Sequence, residues 1–306
     1  MGLKHVTTVE QLADKKLLST LMARAAELQA MPLHEYPKPL QDLTICTLFF
    51  EPSTRTRLSF ETAIQNLGGH LISVENAGTS SSGVKGETLE DTIKTINCYA
   101  DGIVIRHPEV GSAEEAAKVS DVPIINAGDG AGLHPTQGLL DLYTIQKSKG
   151  KIDGLKVAMV GDLLNSRCVH SLVELLALYK IELFLLAPPE LKIPESYLKL
   201  LKKEGITYHE YEKWEDVIGK VDMLYMTRVQ KERFKFIEDY RAIKDSYILT
   251  LDLVKQMKKD AIIMSPLPRV NEIEFSIDSD PRAIYFQEVR NGLYARMALL
   301  EHIFAN

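Results

Sequence analysis

The sequence predicts an α/β protein built as two doubly wound parallel-sheet domains, and three observations carry that expectation. Short apolar runs alternate with longer stretches of helical period, the pattern of parallel strands joined by crossover helices. The series breaks off near residues 136–150 and then starts again, and at about 150 residues per domain a chain of 306 residues has room for two. Hydrophobic residues make up 45% and charged residues 25%, the balance of a folded chain with a substantial core rather than a disordered one.

Taken in order, the first helix is expected from Val9 to Ala30, with Thr8 and Gln11 spaced as a capping box and Leu12, Leu17, Leu18, Leu21, Met22 and Ala25 on one apolar face. Thr44–Phe50 reads as a strand, Thr54–Leu67 as a helix stopped by Gly68-Gly69, and His70–Val74 as a strand. A glycine- and serine-rich loop over 76–86 leads to a helix from Thr88 to Tyr99. Strands Gly102–Arg106 and Pro123–Asn126 flank a helix at Glu114–Val119. A helix from Thr136 to Ser148, stopped by Gly150, ends the first series. The second series reads Lys156–Val160 (strand), Val169–Tyr179 (helix), Glu182–Ala187 (strand), Glu195–Glu204 (helix), Val221–Met226 and Ala261–Met264 (strands), and a closing helix from Gly292 to Phe304.

Charge and cysteine usage narrow the function classes. With 36 basic and 42 acidic residues the net charge is −6, which argues against a broad basic surface for nucleic acid or anionic membrane. No apolar run of about 18 residues exists to span a bilayer, and the first ten residues lack a signal-peptide pattern. Cys46, Cys98 and Cys168 are odd in number and widely spaced, so they fit neither a disulfide framework nor a zinc site. A reducing, cytoplasmic setting is the expectation, with no metal or cofactor.

In open parallel sheets, ligands bind beyond the carboxyl ends of the strands. The strand ends of this chain are polar and cationic. Ser53, Thr54, Arg55 and Thr56 open a helix just after a strand, where exposed amides and the helix dipole attract anions and an arginine fork suits phosphate. The stretch is not a Walker A loop, so a nucleoside triphosphate with magnesium is not implied. Arg106 ends another strand. The loop 126–137 carries Gly128, Gly130 and Gly132, then presents His134 and Gln137 at a helix start with Pro135 in the first turn. A neutral imidazole there can donate to a carbonyl oxygen as it gains charge.

In the second half, Arg167 follows one strand, and Arg228 and Gln230 follow another, an arrangement suited to a ligand with two carboxylates. Leu163 and Ser166 stand where a dinucleotide fingerprint would need glycines. Pro266 and Pro268 remove amide donors, which frees nearby carbonyls to accept from an amine. Lys85 is the one cation of a long loop that can serve as a lid over an anion.

Ser53-Thr-Arg-Thr-Arg57, His134-Pro-Thr-Gln137, the Lys85-Gly-Glu87 loop, Met226-Thr-Arg-Val-Gln230 and Pro266-Leu-Pro-Arg269 together resemble the catalytic chain of the aspartate carbamoyltransferases, in order and over nearly the whole chain. The resemblance implies the carbamoyltransferase fold. It assigns residues 1–135 to a carbamoyl phosphate-binding domain, 136–149 to a linking helix, 150–288 to an aspartate-binding domain, and 289–306 to a C-terminal helix returning to the first domain. It implies transfer of the carbamoyl group of carbamoyl phosphate to L-aspartate, in pyrimidine biosynthesis. Ser53, Thr54, Arg55, Thr56 and Arg106 would hold the phosphate, and His134 and Gln137 the carbamoyl end, with Thr56 and Arg106 near its carbonyl. Arg167, Arg228 and Gln230 would take the aspartate carboxylates, and the backbone at Pro266 and Leu267 would orient the amine. The family forms homotrimers with shared sites, so Ser81 and Lys85 would serve a neighbour, and a regulatory subunit can add to the assembly.

By the same resemblance, Arg55, Thr56, Lys85, Arg106 and His134 carry the chemistry by stabilising the oxyanion and the departing phosphate. Two departures stand out. Val84 precedes Lys85 where well-known members have two lysines, and Leu164, Asn165 and Ser166 replace a lysine, an aromatic or histidine, and a glycine found in many allosteric members. Glu51, Arg167 and Arg233 match the family's domain-bridging ion network. The alternatives are an ornithine carbamoyltransferase, whose His-Cys-Leu-Pro segment is here Ser265-Pro-Leu-Pro268, and a non-catalytic anion-binding paralogue.

Overall fold

A computed structural model describes residues 3–79, 85–230, 238, 243 and 247–305. The chain divides into two compact units, one of Met1–Tyr143 with Val289–Asn306 and one of Thr144–Glu288.

The first unit holds a four-stranded parallel sheet of β1 (Thr44–Phe49), β2 (His70–Glu75), β3 (Gly102–His107) and β4 (Ile124–Asp129), in the order β2-β1-β3-β4. Burial follows position in the sheet. β4 is buried along its whole length, while the edge strand β2 alternates between exposed and half-buried residues. The inner strands β1 and β3 carry the apolar runs, and β4, although last in the order, is covered by the Val6 segment, which bridges to Ile125. Cys46, Leu48, Ile103, Ile105 and Ile124 of the strands close a core against Ile93 of α3 (Leu89–Asn97) and Ala113 and Ala116 of α4 (Ser112–Val119).

The expected first helix splits. Glu10–Leu12 form a 3-10 turn, and α1 (Lys15–Ala30) starts afresh behind Asp14, whose side chain accepts from the Leu17 amide at 2.7 Å. Gln11 does reach back to the Thr8 amide (3.1 Å), but that bond closes the turn and not the helix. α2 (Thr54–Asn66) follows β1, and α5 (Pro135–Lys149) follows β4. The C-terminal helix α9 (Tyr285–Phe304) starts seven residues before the expected Gly292. Its later part packs on the first unit. Arg24 of α1 grips Glu301 through two hydrogen bonds (2.8 and 2.9 Å), and a Cβ on Gly102 would lie 2.4 Å from the Phe304 ring.

The second unit holds a five-stranded parallel sheet of β5 (Lys156–Val160), β6 (Glu182–Leu186), β7 (Thr207–Tyr211), β8 (Met223–Met226) and β9 (Ile262–Met264), in the order β7-β6-β5-β8-β9. α6 (Arg167–Leu176), α7 (Glu195–Lys203) and α8 (Leu251–Gln256) complete it. β7 and α8 fall outside the elements expected from sequence. β7 is a half-exposed edge strand of Thr-Tyr-His-Glu-Tyr with no apolar run, and α8 is only six residues long. α6 also starts earlier than Val169, so Arg167 opens a helix instead of ending a loop.

In both units the strand order reverses at one place: between β1 and β3 in the first, and between β5 and β8 in the second. At such a switch point the loops leave in opposite directions and open a crevice at the strand ends.

Candidate active site

The switch point of the first unit carries the start of α2. Ser53 is extended (φ −156°, ψ 94°) and its side chain makes no capping bond. By contrast Asp14, Thr88, Ser166 and Thr250 each cap their helix by accepting from the amide three residues on. A helix start whose cap residue leaves its first amides to other acceptors is suited to an anion. Thr54 and Arg55 are exposed and Thr56 is buried. Arg57, although part of the same motif, is engaged elsewhere. Its guanidinium bonds Glu61 (3.2 Å) and Glu75 (3.0 Å), tying α2 to the β2 edge.

Arg106 sits across the switch point, paired in register with Phe49 of β1. Its Nε lies 3.6 Å from Glu51, and its Nη1 donates to the Ala127 carbonyl at 3.4 Å. Two neighbouring elements thus hold the guanidinium at the strand ends. Of the expected ion network, Glu51 bonds Arg106, and Arg233 lies outside the described residues.

The loop after β4 is a rigid frame around Asp129. That carboxylate accepts from the amides of Leu133 (2.8 Å) and Gly111 (2.9 Å). Gly130 adopts φ +51°, and a Cβ there would stand 2.5 Å from the Pro108 carbonyl oxygen, so only glycine lets the loop pass so close. The frame delivers His134, 3% exposed, to the start of α5 with Pro135 in the first turn. The His134 carbonyl accepts from the amides of Gln137 (2.9 Å) and Gly138 (3.1 Å). Gln137 is buried one turn on and donates through Nε2 to Asp141 (2.9 Å). Lys85 lies in an exposed turn. Ser81 and Val84 lie outside the described residues.

In the second unit, Asp162 organises the switch point. Buried just beyond β5, it accepts from the Asn165 amide (2.9 Å) and side chain (3.1 Å) and from the Gln230 amide (3.3 Å). Burial pushes its carboxyl above the ordinary range, while these donors and the charge of Arg228 pull it back down. The departure at Leu164, Asn165 and Ser166 is thereby accounted for in part. Asn165 closes a turn on Asp162, and Ser166 caps α6 by accepting from Val169 (3.4 Å). Arg167 opens that helix half-buried, and Arg228 and Gln230 follow β8, also half-buried. Thr227 anchors their loop, since its amide (2.9 Å) and hydroxyl (3.0 Å) both donate to the Val160 carbonyl.

The third loop of this unit follows β9. The Ser265 amide donates to the buried Glu288 carboxylate (3.0 Å), and the Leu267 amide donates to the Ser265 hydroxyl (3.3 Å). Leu267 is left-handed at φ +52°. Pro266 and Leu267 are half-buried at the turn. Arg269 of the same motif is structural. It pairs with Asp278, and its guanidinium carbon sits 4.4 Å from the Phe275 ring centroid.

Sequence reasoning missed three groups that hold these residues in place: Asp141, Asp162 and Glu288. A lone carboxylate in an otherwise apolar helical stretch (Leu139, Leu140, Asp141, Leu142) was the available signal for the first. Asp162 was visible as the acidic residue directly after Gly161. Glu288 carried no signal, because the helix was expected to begin beyond it.

Comparison with known proteins agrees with both halves. Residues 4–147 match the family model for the aspartate/ornithine carbamoyltransferase carbamoyl-P binding domain, and residues 153–303 match that for the Asp/Orn binding domain. The chain is 45% identical to the aspartate carbamoyltransferase catalytic subunit of Parabacteroides distasonis, over 98% of this chain and 97% of that one. It is 46% identical over 98% of its length to the multifunctional protein pyr1-3 of Dictyostelium discoideum, of which it spans only 13%. The aspartate transcarbamoylase of Trypanosoma cruzi, solved with carbamoyl phosphate and aspartate, superposes with a TM-score of 0.92 at 39% identity, over 99% of this chain and 98% of that one. The chain belongs to the aspartate/ornithine carbamoyltransferase family, on its aspartate carbamoyltransferase branch.

Proposed function

We infer that the chain transfers the carbamoyl group of carbamoyl phosphate to the amine of L-aspartate, giving N-carbamoyl-L-aspartate and phosphate for pyrimidine synthesis. The observation that carries this reading is the pairing of residue types with the two switch points. An uncapped helix start with Ser53, Thr54, Arg55 and Thr56 faces phosphate chemistry in the first unit, and Arg167 and Arg228 face carboxylate chemistry in the second. The relatives named for this activity support it.

Carbamoyl phosphate is an activated acyl donor, so its carbonyl carbon needs no covalent nucleophile to react with an amine. In this reading the phosphate occupies the first turn of α2 with Arg106, and His134 with Thr56 donates to the carbonyl oxygen as it becomes an oxyanion. Gln137 meets the carbamoyl nitrogen. Arg167, Arg228 and Gln230 hold the two aspartate carboxylates, which leaves the aspartate amine as the free nucleophile, and the turn at Pro266 and Leu267 orients it. The amine forms the new C–N bond, the C–O bond to phosphate breaks, and Arg55 and Lys85 neutralise the departing phosphate. The amine proton leaves with that phosphate. We also assign the working form as a cytoplasmic homotrimer in which Ser81 and Lys85 serve a neighbouring chain's site. The three free thiols suit a reducing compartment.

The test is an assay of ureido product with carbamoyl phosphate and either L-aspartate or L-ornithine, on a preparation whose native mass is measured alongside. Product with aspartate from a three-chain assembly is expected. Product with ornithine alone, or none with either, would overturn the assignment.

A further inference from the structure

A buried relay behind the first half-site extends the reading above and rests on it. Gln137 and Asp141 lie four residues apart on α5, and the Gln137 amide nitrogen donates to Asp141 Oδ1 at 2.9 Å in a fully buried bond. Behind them stands Arg296 of α9, itself buried. Its Nη1 donates to Ser59 of α2 (2.9 Å), and its guanidinium carbon sits 5.0 Å from the Phe60 ring centroid. Burial pulls this guanidinium down to about 10, and the charge of Asp141 opposes that fall, so Arg296 remains a cation near neutrality. The geometry at Asp141 itself decides the polarity of the bond: its Oδ1 is the accepting atom and the Gln137 amide nitrogen the donating one.

Asp141 therefore fixes which way round the Gln137 amide sits. The nitrogen is committed inward to the carboxylate, so the oxygen is the atom offered to a ligand. An amide oxygen accepts, and the group on carbamoyl phosphate that can donate is its amine. Acetyl phosphate has the same carbonyl and the same phosphate but a methyl group in that place. We propose that Asp141 is a positioning residue which, by orienting Gln137, makes the site select a carbamoyl phosphate over acyl phosphates that lack the amine.

The experiment compares KM and kcat for carbamoyl phosphate with the competitive inhibition constants of acetyl phosphate and inorganic phosphate, in wild type, Asp141→Asn, and the double variant Asp141→Asn with Gln137→Glu. In Asp141→Asn the side chain can donate through its own amide as well as accept, so Gln137 is no longer held with its nitrogen inward and can present that nitrogen to the ligand. KM for carbamoyl phosphate is then expected to rise about tenfold, the worth of one good buried hydrogen bond, with both inhibition constants within about twofold of wild type. The double variant keeps one carboxyl and one amide in the pair and restores an acceptor toward the ligand, so the preference for carbamoyl over acetyl phosphate returns. It also carries the test if the single variant fails to fold. An unchanged preference in Asp141→Asn, parallel weakening of all three ligands, or a double variant without the preference would overturn the assignment to Asp141. Absence of product from the wild type would instead overturn the proposed function.

Discussion

Gly161 offers a sharp test of how the second half-site is built. It follows β5 at φ +107°, a conformation that residues with a side chain rarely adopt, and a Cβ placed there would lie 2.1 Å from the Thr227 carbonyl oxygen. Ordinary contact begins at 3.4 Å, so a Gly161→Ala variant must open the two loops by 3.4 − 2.1 = 1.3 Å. Thr227 cannot yield that distance and keep its bonds to the Val160 carbonyl at 2.9 and 3.0 Å. Holding a non-glycine residue at such a φ costs about 1–3 kcal/mol, and each lost internal hydrogen bond about 1 kcal/mol. A loss of about 3–5 kcal/mol in stability is therefore expected for Gly161→Ala by urea unfolding.

The same shift moves Arg228 and Gln230, one and three residues past Thr227. KM for aspartate should rise about tenfold or more, while the inhibition constant of inorganic phosphate stays near that of wild type, because its proposed site lies in the other unit. A variant as stable as wild type to within about 0.5 kcal/mol, with unchanged KM for aspartate, would refute the reasoning.

Two further outcomes follow from buried groups. Replacing Glu288 by alanine strands the buried Ser265 amide, so a loss of about 1–3 kcal/mol in thermal unfolding is expected, together with a lower kcat as the turn at Pro266 and Leu267 loosens; unchanged stability and kcat would count against an anchoring role. His170 is buried, stacks on Tyr197 at 4.5 Å, and makes a 3.0 Å bond to the Leu163 carbonyl, and burial lowers its pKa below 6.5 despite that bond. Below pH 6.5 the unfolded chain takes up a proton that the folded chain resists, so stability falls with falling pH, and a His170→Phe variant should show a shallower fall between pH 6.5 and 5 in urea titrations; identical slopes would show that other groups carry the effect.

Much of this fold was legible because parallel strands buried on both faces leave continuous apolar runs. The inner strands β1, β3, β5, β6 and β8 are legible for that reason, and their burial bears it out. The edge strand β7 was not, since Thr207-Tyr-His-Glu-Tyr211 owes its conformation to backbone pairing with β6 rather than to its own pattern. The first helix was misread for a different reason. Gln11 satisfies the amides of Thr7 and Thr8 from within a 3-10 turn, and a capping-box spacing cannot tell that turn from a helix start. At the site, residue types at strand ends were readable, because arginines and hydroxyls there have few structural uses. Their supports were hidden. Asp141 acts through Gln137, one turn away on a helix where the same spacing also suits plain core packing, and Glu288 acts through Ser265, 23 positions away in sequence.

The net charge of −6 says little about where cations matter, and the arginines show why. Arg24, Arg57, Arg269 and Arg282 each sit on carboxylates within their own unit: Glu301, Glu61 and Glu75, Asp278, and Asp280. Those pairs neutralise themselves and contribute no lasting field beyond a Debye length of about 8 Å. Arg106, 3.6 Å from Glu51, and Arg167 and Arg228 stand where the strand order of each sheet reverses, and Arg55 stands in the first turn of a helix whose cap residue makes no capping bond. Phosphate and dicarboxylate recognition thus depend on topology to place a few guanidinium groups, and acidic residues elsewhere can outnumber basic ones without weakening either half-site. Adding surface carboxylates more than a Debye length from both switch points should therefore leave substrate affinity unchanged, whereas removing any one of these four arginines should not.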